Sequence, residues 1–347
     1  MASATDPSIP PPTDVDPDVH GTIPPGLSGL LIGIDPHGVM HTVQICSGRA
    51  TYRRRRFCTD AVVHNIVVLE DSILAFGDDS PASELRPEAD TLRRVDLAGH
   101  GRSLTAYPKH DWSTGELHLI ARELDGVQAH VVISAGALTR RSRPIADAPS
   151  RIDDLVLTRD RVAFVADGSV GIAEREGDAR ATWIATGVDA PHLLHAHDAG
   201  DAVVLLVLTP ALERWSCHPG AQSLRREVLD RTPRRFAHCS SHDLDGEPNL
   251  VWTTGGRTVG HHDLVTSTHV HHNLRPHLPG DLAFVPDTAL ATDKGWLVGF
   301  VHDSSDSTTE LRVIDVVTIA DAPIATIRIP RRIPRDLRCT WIPGTQP

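Results

Sequence analysis

Histidine is the residue type best equipped for chemistry in this chain, and it is bunched in the run HHDLVTSTHVHH at 261–272. A strand through that run sets His269 and His271 on one face, where two imidazoles could share a metal ion. No cysteine is interleaved, and the run is expected to line a turn or lie on a solvated face. Five cysteines (Cys46, Cys58, Cys217, Cys239 and Cys339) are scattered without any C-x-x-C spacing. An odd, unclustered set reads as free thiols in a reducing compartment, not as a disulfide framework or a zinc site. The basic run Arg53–Arg56 is short and sits in a β-like segment, so it reads as a solvated strand face. Gly255-Gly256-Arg257 is a turn, and no phosphate-binding loop stands between a strand and a helix.

The elements that must position such residues are strands. After a Pro- and Asp-rich opening (residues 1–20, expected to be a disordered tail), short β-branched runs recur from Gly21 onward. NIVVL, RVAFVA, AVVLLVL, GWLVGFV and ELRVIDV are examples, and Asp125-Gly126, Asp167-Gly168 and Asp245-Gly246 supply hairpin chemistry. No segment sustains a helical apolar stripe. More than a dozen short strands with tight turns predict an all-β sandwich, barrel or propeller, and the chain length favours a propeller of six or seven blades. A formal net charge of −11 argues against a nucleic-acid partner. No apolar run reaches the roughly 20 residues of a membrane span, so a cytoplasmic protein without stable membrane insertion is expected.

The order of motifs narrows the choice. GDLAFVP (280–286), GWLVGFVHDSSDSTTELRVIDV (295–316) and PIATIRIPRRIPRDLRCTW (323–341) stand in sequence near the end. GTIPPGLSGLLIGIDP, RATYRRRRFCT, SLTAYPKHDWSTGELHLI, APSRIDDLVLTRDRVAF and WIATGVDAPHLLHAHDAGD precede them. Together they resemble the motifs of the carotenoid cleavage dioxygenase family, also called the retinal pigment isomerohydrolase and lignostilbene dioxygenase family. The resemblance runs over most of Gly21–Trp341. It implies one seven-bladed β-propeller over 21–347, with trimmed connections at Asp35–His37 and between Pro286 and Asp293.

In that family four histidines hold Fe(II) on the propeller axis. Carried over by motif, their positions fall here on Tyr107, Asp153, His192 and Arg338, so only His192 keeps its residue type. The carboxylates behind the ligands become Asp78 and Asp281, and a third falls on Arg235. His195, near His192, could assist it if it faces inward. A guanidinium cannot ligate a cation and repels one beside it. The resemblance therefore implies a lost iron site, no cofactor and a charge network in its place. The reading is a metal-independent enzyme of isomerase, cyclase or lyase type acting on a small or medium molecule. In it Arg338 anchors an anionic oxygen, His192 or Asp153 is the base and Tyr107 the proton donor. One alternative is a non-catalytic binding or scaffold propeller. The other is a dioxygenase with iron or zinc rebuilt on Tyr107, Asp153 and His192. Substrate and oligomeric state are not readable from these residues.

Overall fold

The computed structural model describes residues 13–344, apart from 36–37, 57–61, 70–71, 87–90, 96, 98–102, 123–125, 135–138, 149–150, 178–179, 241–243, 288–292 and 304–307. Cys58, Asp125 and most of the two trimmed connections lie outside these residues. Every regular element among the described residues is a strand, and the strands form seven antiparallel sheets. Among the described residues, no helix is long and apolar enough to cross a membrane.

Each sheet is a blade built largely from consecutive strands. The first strands of blades II to VI are Asn65–Leu69, Ser103–Leu104 with Lys109–Asp111, Asp154–Leu157, His192–Ala199 and Phe236–Cys239. Leu278–Pro286 opens blade VII, and blade I takes its first strand, Cys339–Pro343, from the end of the chain. Those first strands touch their neighbours around a common axis. Cys339–Pro343 pairs with Gly29–Ile34, joining the two ends of the sequence in one sheet. Gly33 makes this closure possible, because a Cβ there would meet the Leu337 side chain at 2.3 Å.

The order extends into the Pro- and Asp-rich opening. Thr13–Val15 adds to the outer edge of blade I, and Val19–Gly21 to that of blade VII. The ordered chain thus begins before Gly21, because these short segments complete sheet edges that would otherwise expose unpaired backbone groups.

Alternation along the strands decides where the core lies. In blade V, Val203, Leu205 and Val207 pack towards blade IV, while Leu206 and Leu208 pack towards blade VI. Repeated around the ring, this gives seven apolar clusters among the described residues, one at each interface between blades. The hairpin at Asp167-Gly168 turns with φ of 38° and 64°, the left-handed pair that a two-residue connection between twisted strands requires.

Candidate active site

A cavity of about 570 Å³ opens where the first strands converge. Its polar wall includes Asn65, Tyr107, Lys109, His192, His238, Arg338 and Thr340, and its apolar wall includes Ile66, Trp112, Leu193 and Trp341. Each polar residue sits in or just before the first strand of its blade. Five separate segments, from blades I, II, III, V and VI, therefore contribute to one small volume.

Two histidine–aspartate pairs form the rigid part. Asp154, buried at the start of its strand, accepts from His192 Nδ1 at 3.0 Å and from the Leu193 amide at 2.9 Å. Its other oxygen lies 3.2 Å from Lys109 Nζ and accepts from the Leu155 amide at 2.8 Å. Burial alone would push this carboxyl up, but Lys109, His192 and the Leu193 amide together hold it below the ordinary aspartate range. Across the cavity, Asp281 accepts from His238 Nε2 at 2.6 Å and from the Cys339 amide at 3.0 Å. It too is held low against its burial, by His238, Arg338 and the Cys339 amide.

Arg338 lies between the pairs. Its Nη2 is 3.2 Å from His192 Nε2, and its guanidinium stands 5.3 Å from the centre of the Tyr107 ring and 5.7 Å from that of Phe236. These contacts fix the tautomer of His192. An ionised Asp154 can only accept and Arg338 can only donate, so Nδ1 carries the proton and Nε2 presents its lone pair to the cavity. Burial, with Arg338 and Lys109 adding to it against Asp154, lowers the His192 pKa and keeps the ring neutral. Burial raises that of Tyr107 against the pull of Arg338, so its phenol stays protonated at neutral pH. A neutral imidazole beside a protonated phenol is a base beside an acid. Cys239, which also lines the cavity, is pushed up to about 12 by burial and supplies no thiolate nucleophile.

Of the residues singled out by sequence, Tyr107, His192 and Arg338 come together, and Asp281 stands behind His238. The others do not join them. Asp153 and Asp78 lie 3.2 and 3.3 Å from Arg151, a half-exposed guanidinium that also takes Asp79 at 2.9 Å. Asp154 holds the place expected of Asp153, because adjacent residues of a strand face opposite ways. Arg235 pairs with Asp336 at 2.5 Å outside the cavity wall. His238, three positions on and therefore on the other face of that segment, lines the cavity instead. His195 is buried with Nε2 2.7 Å from the Gly246 carbonyl, past an irregularity in pairing between Leu193 and His195. Lys109, Asp154 and His238 were missed. The one available signal was alternation, since Phe236 and His238 share a face and Ala237 does not.

The histidine run also changes meaning. Asp230, at the end of the outer strand Ser223–Asp230 of blade V, reaches across to His262 and His271 in blade VI. The acidic partner comes from a neighbouring blade, where no local pattern reveals it.

Residues 208–343 match the family model described as retinal pigment epithelial membrane protein. Two strains of Mycobacterium tuberculosis each carry a carotenoid cleavage oxygenase that is 27% identical over 151 residues. That match takes in 39% of this chain and 30% of the length of those relatives. Among solved structures, a variant of the Synechocystis apocarotenoid oxygenase superposes with a TM-score of 0.83 at 16% identity, covering 97% of each chain. The lignostilbene dioxygenase of Pseudomonas brassicacearum gives 0.82 at 17%, covering 96% of each. The cobalt-substituted form of the Synechocystis enzyme superposes equally well, at 0.83. The expectation of a chain without any cofactor is withdrawn on these findings. A structural neighbour carries a metal, and Asp230, His262 and His271 of this chain bring ligand atoms within 4.8 Å of one another.

Proposed function

We propose that the chain, whose residues 208–343 match the retinal pigment epithelial membrane protein family and which is similar to carotenoid cleavage oxygenases, binds a small or medium conjugated molecule with an anionic oxygen in its axial cavity and moves protons on it. The observation that carries this reading is the 3.2 Å contact of Arg338 with the lone-pair nitrogen of a His192 held from behind by Asp154.

Arg338 would give its fork of N–H donors to a carboxylate, phenolate or enolate, and His192 Nε2 would then be free to take a proton from an adjacent carbon. Asp154 stabilises the imidazolium that forms, and Tyr107 gives a proton at a second position. Return of the proton to carbon is an isomerisation; protonation of a leaving hydroxyl is a dehydration. Positioned acid–base groups of this kind contribute about 10²–10⁴ in rate. The volume of about 570 Å³ suits a medium-sized substrate.

The axial donors as placed do not fit a metal ion. His192 Nε2 already accepts from Arg338, and His238 Nε2 faces Asp281. A cation between them would also meet the guanidinium charge. No step is therefore routed through an axial metal.

The test is turnover in deuterated water of a panel of conjugated carboxylates and phenolates, followed by mass spectrometry. The expected product is either an isomer carrying one deuterium on carbon or a dehydrated product without it, and it disappears in Arg338→Met and Tyr107→Phe. Oxygen uptake with a gain of two oxygen atoms overturns the proposal. Binding of panel members without conversion of any reduces the cavity to a binding site.

A further inference from the structure

Away from the axis, blades V and VI meet at their outer rims over a group of imidazoles that the proposed reaction does not use. His262 lies in the third strand of blade VI, Thr258–Asp263, and pairs directly with His269 in the outer strand Thr268–Asn273. His271, two residues further on, shares the face of His269, while His261 and His272 point to the other side. The ring centres are 5.8 Å apart for His262 and His269, 5.2 Å for His269 and His271, and 6.2 Å for His262 and His271.

Asp230 points into this group from blade V. Its Oδ2 lies 3.1 Å from His271 Nε2 and 3.7 Å from His262 Nε2. The carboxylate is buried and held at both oxygens, Arg234 sharing Oδ2 with the imidazoles. Oδ1 accepts from the Thr232 amide at 2.8 Å, and Oδ2 takes Arg234 Nε at 3.1 Å and Nη2 at 2.9 Å. His262 Nε2 is also 3.0 Å from Thr253 Oγ1.

We propose that Asp230, His262 and His271, with His269 beside them, form a divalent transition-metal site of the zinc class that clips blade V to blade VI. Zinc bound to nitrogen and oxygen at about 2.0–2.1 Å in tetrahedral geometry spaces its ligand atoms by about 3.3 Å. The 3.1 Å separation already meets that spacing, and the 3.7 Å one closes with a small rotation of a ring. His269, with its ring centre 5.8 Å from that of His262 and 5.2 Å from that of His271, completes the set once its ring turns to offer a nitrogen. Imidazole nitrogen selects zinc, nickel or copper over magnesium and calcium, which take oxygen. Arg234 and Thr232 orient the carboxylate in the way that outer partners orient metal ligands. The guanidinium offsets the carboxylate charge, so the affinity is modest and rests on the imidazoles.

The test uses the untagged full chain stripped with chelator and titrated with Zn²⁺ against a chromophoric competitor. One equivalent binds, and His271→Ala and His269→Ala, both at exposed positions, weaken it by about 10–100-fold. His272→Ala, on the same strand but the opposite face, leaves it unchanged. Zinc raises the melting temperature of the wild type and not that of His271→Ala. Absence of zinc binding to the wild type overturns the proposal. So does an affinity unaffected by His271→Ala, which places the ion elsewhere, the axis included.

Discussion

Replacing Asp154 by Asn removes one negative charge from the most enclosed part of the cavity and changes almost nothing in shape. The carboxylate serves four donors: Lys109 Nζ, His192 Nδ1 and the amides of Leu155 and Leu193. An amide has one acceptor atom, so either of its orientations fails some of them. With oxygen towards His192 and Leu193, the NH₂ group confronts the Lys109 ammonium and the Leu155 N–H. With oxygen towards Lys109, the NH₂ group confronts the Leu193 N–H and forces His192 to give up its Nδ1 proton. Stranding a buried donor costs about 1–3 kcal/mol, and breaking one side of a buried ion pair about 3–5 kcal/mol. Lys109 keeps some access to water and still donates to the Leu193 carbonyl at 3.1 Å, which moderates the second figure. A net loss of about 3 kcal/mol is expected for Asp154→Asn, read from urea unfolding at neutral pH. Nitrogen-15 spectra of His192 provide the second readout: the Nδ1–H form in the wild type and a shift towards Nε2–H in the variant. A stability change under about 1 kcal/mol, with His192 still in the Nδ1–H form, refutes the argument that Asp154 sets this tautomer.

Other expectations test other parts of the fold. His118 and His130, 3.0 Å apart between blades III and IV, are lowered by burial and by neighbouring charges to about 2 and about 3. Their unfolded values are about 6.5, so their contribution is complete above that pH and is lost as pH falls from there towards the folded values. The unfolding free energy from urea denaturation should drop between pH 7 and 5, by up to about 1.4 kcal/mol per pH unit for each ring; equal values contradict it. Glu213 accepts from Trp215 Nε1 at 2.7 Å and from Arg226 Nε at 2.8 Å, so Glu213→Ala should cost about 2 kcal/mol in urea unfolding, Arg226 retaining access to water. Gly33→Ala should lower stability by about 1–3 kcal/mol through collision with Leu337, whereas Gly48→Ala, at a position open to solvent but with φ of 73°, should lose no more than about 1 kcal/mol. Tyr107→Phe should abolish deuterium transfer while leaving ligand affinity within a few-fold, since only the phenolic proton is removed.

The architecture was legible because strand alternation, hairpin turns and the order of motifs all point one way. The site was legible where a motif fixes the register, as at Tyr107, His192, Asp281 and Arg338. It was misread at Asp153 and Arg235, one and three positions from the residues that face inward. An odd displacement along a strand reverses the side of every residue. Neither composition nor spacing discloses Lys109, whose ammonium reaches Asp154 of the next blade. The pairing of Asp230 with His262 and His271 is hidden for the same reason, because it spans two blades and exists only after they dock.

Arg338 immediately precedes Cys339–Pro343, the strand that closes blade I against Gly29–Ile34. The cation of the cavity is thus delivered by the step that completes the ring. During synthesis from the amino end, blades II to VII can be made with His192, His238 and both aspartates present and the guanidinium absent. An incomplete product, stalled or clipped before residue 338, would hold an open ring and an imidazole with no cation in front of it. Charge and closure are coupled in the order of assembly: the cavity acquires its guanidinium only when its circle is shut.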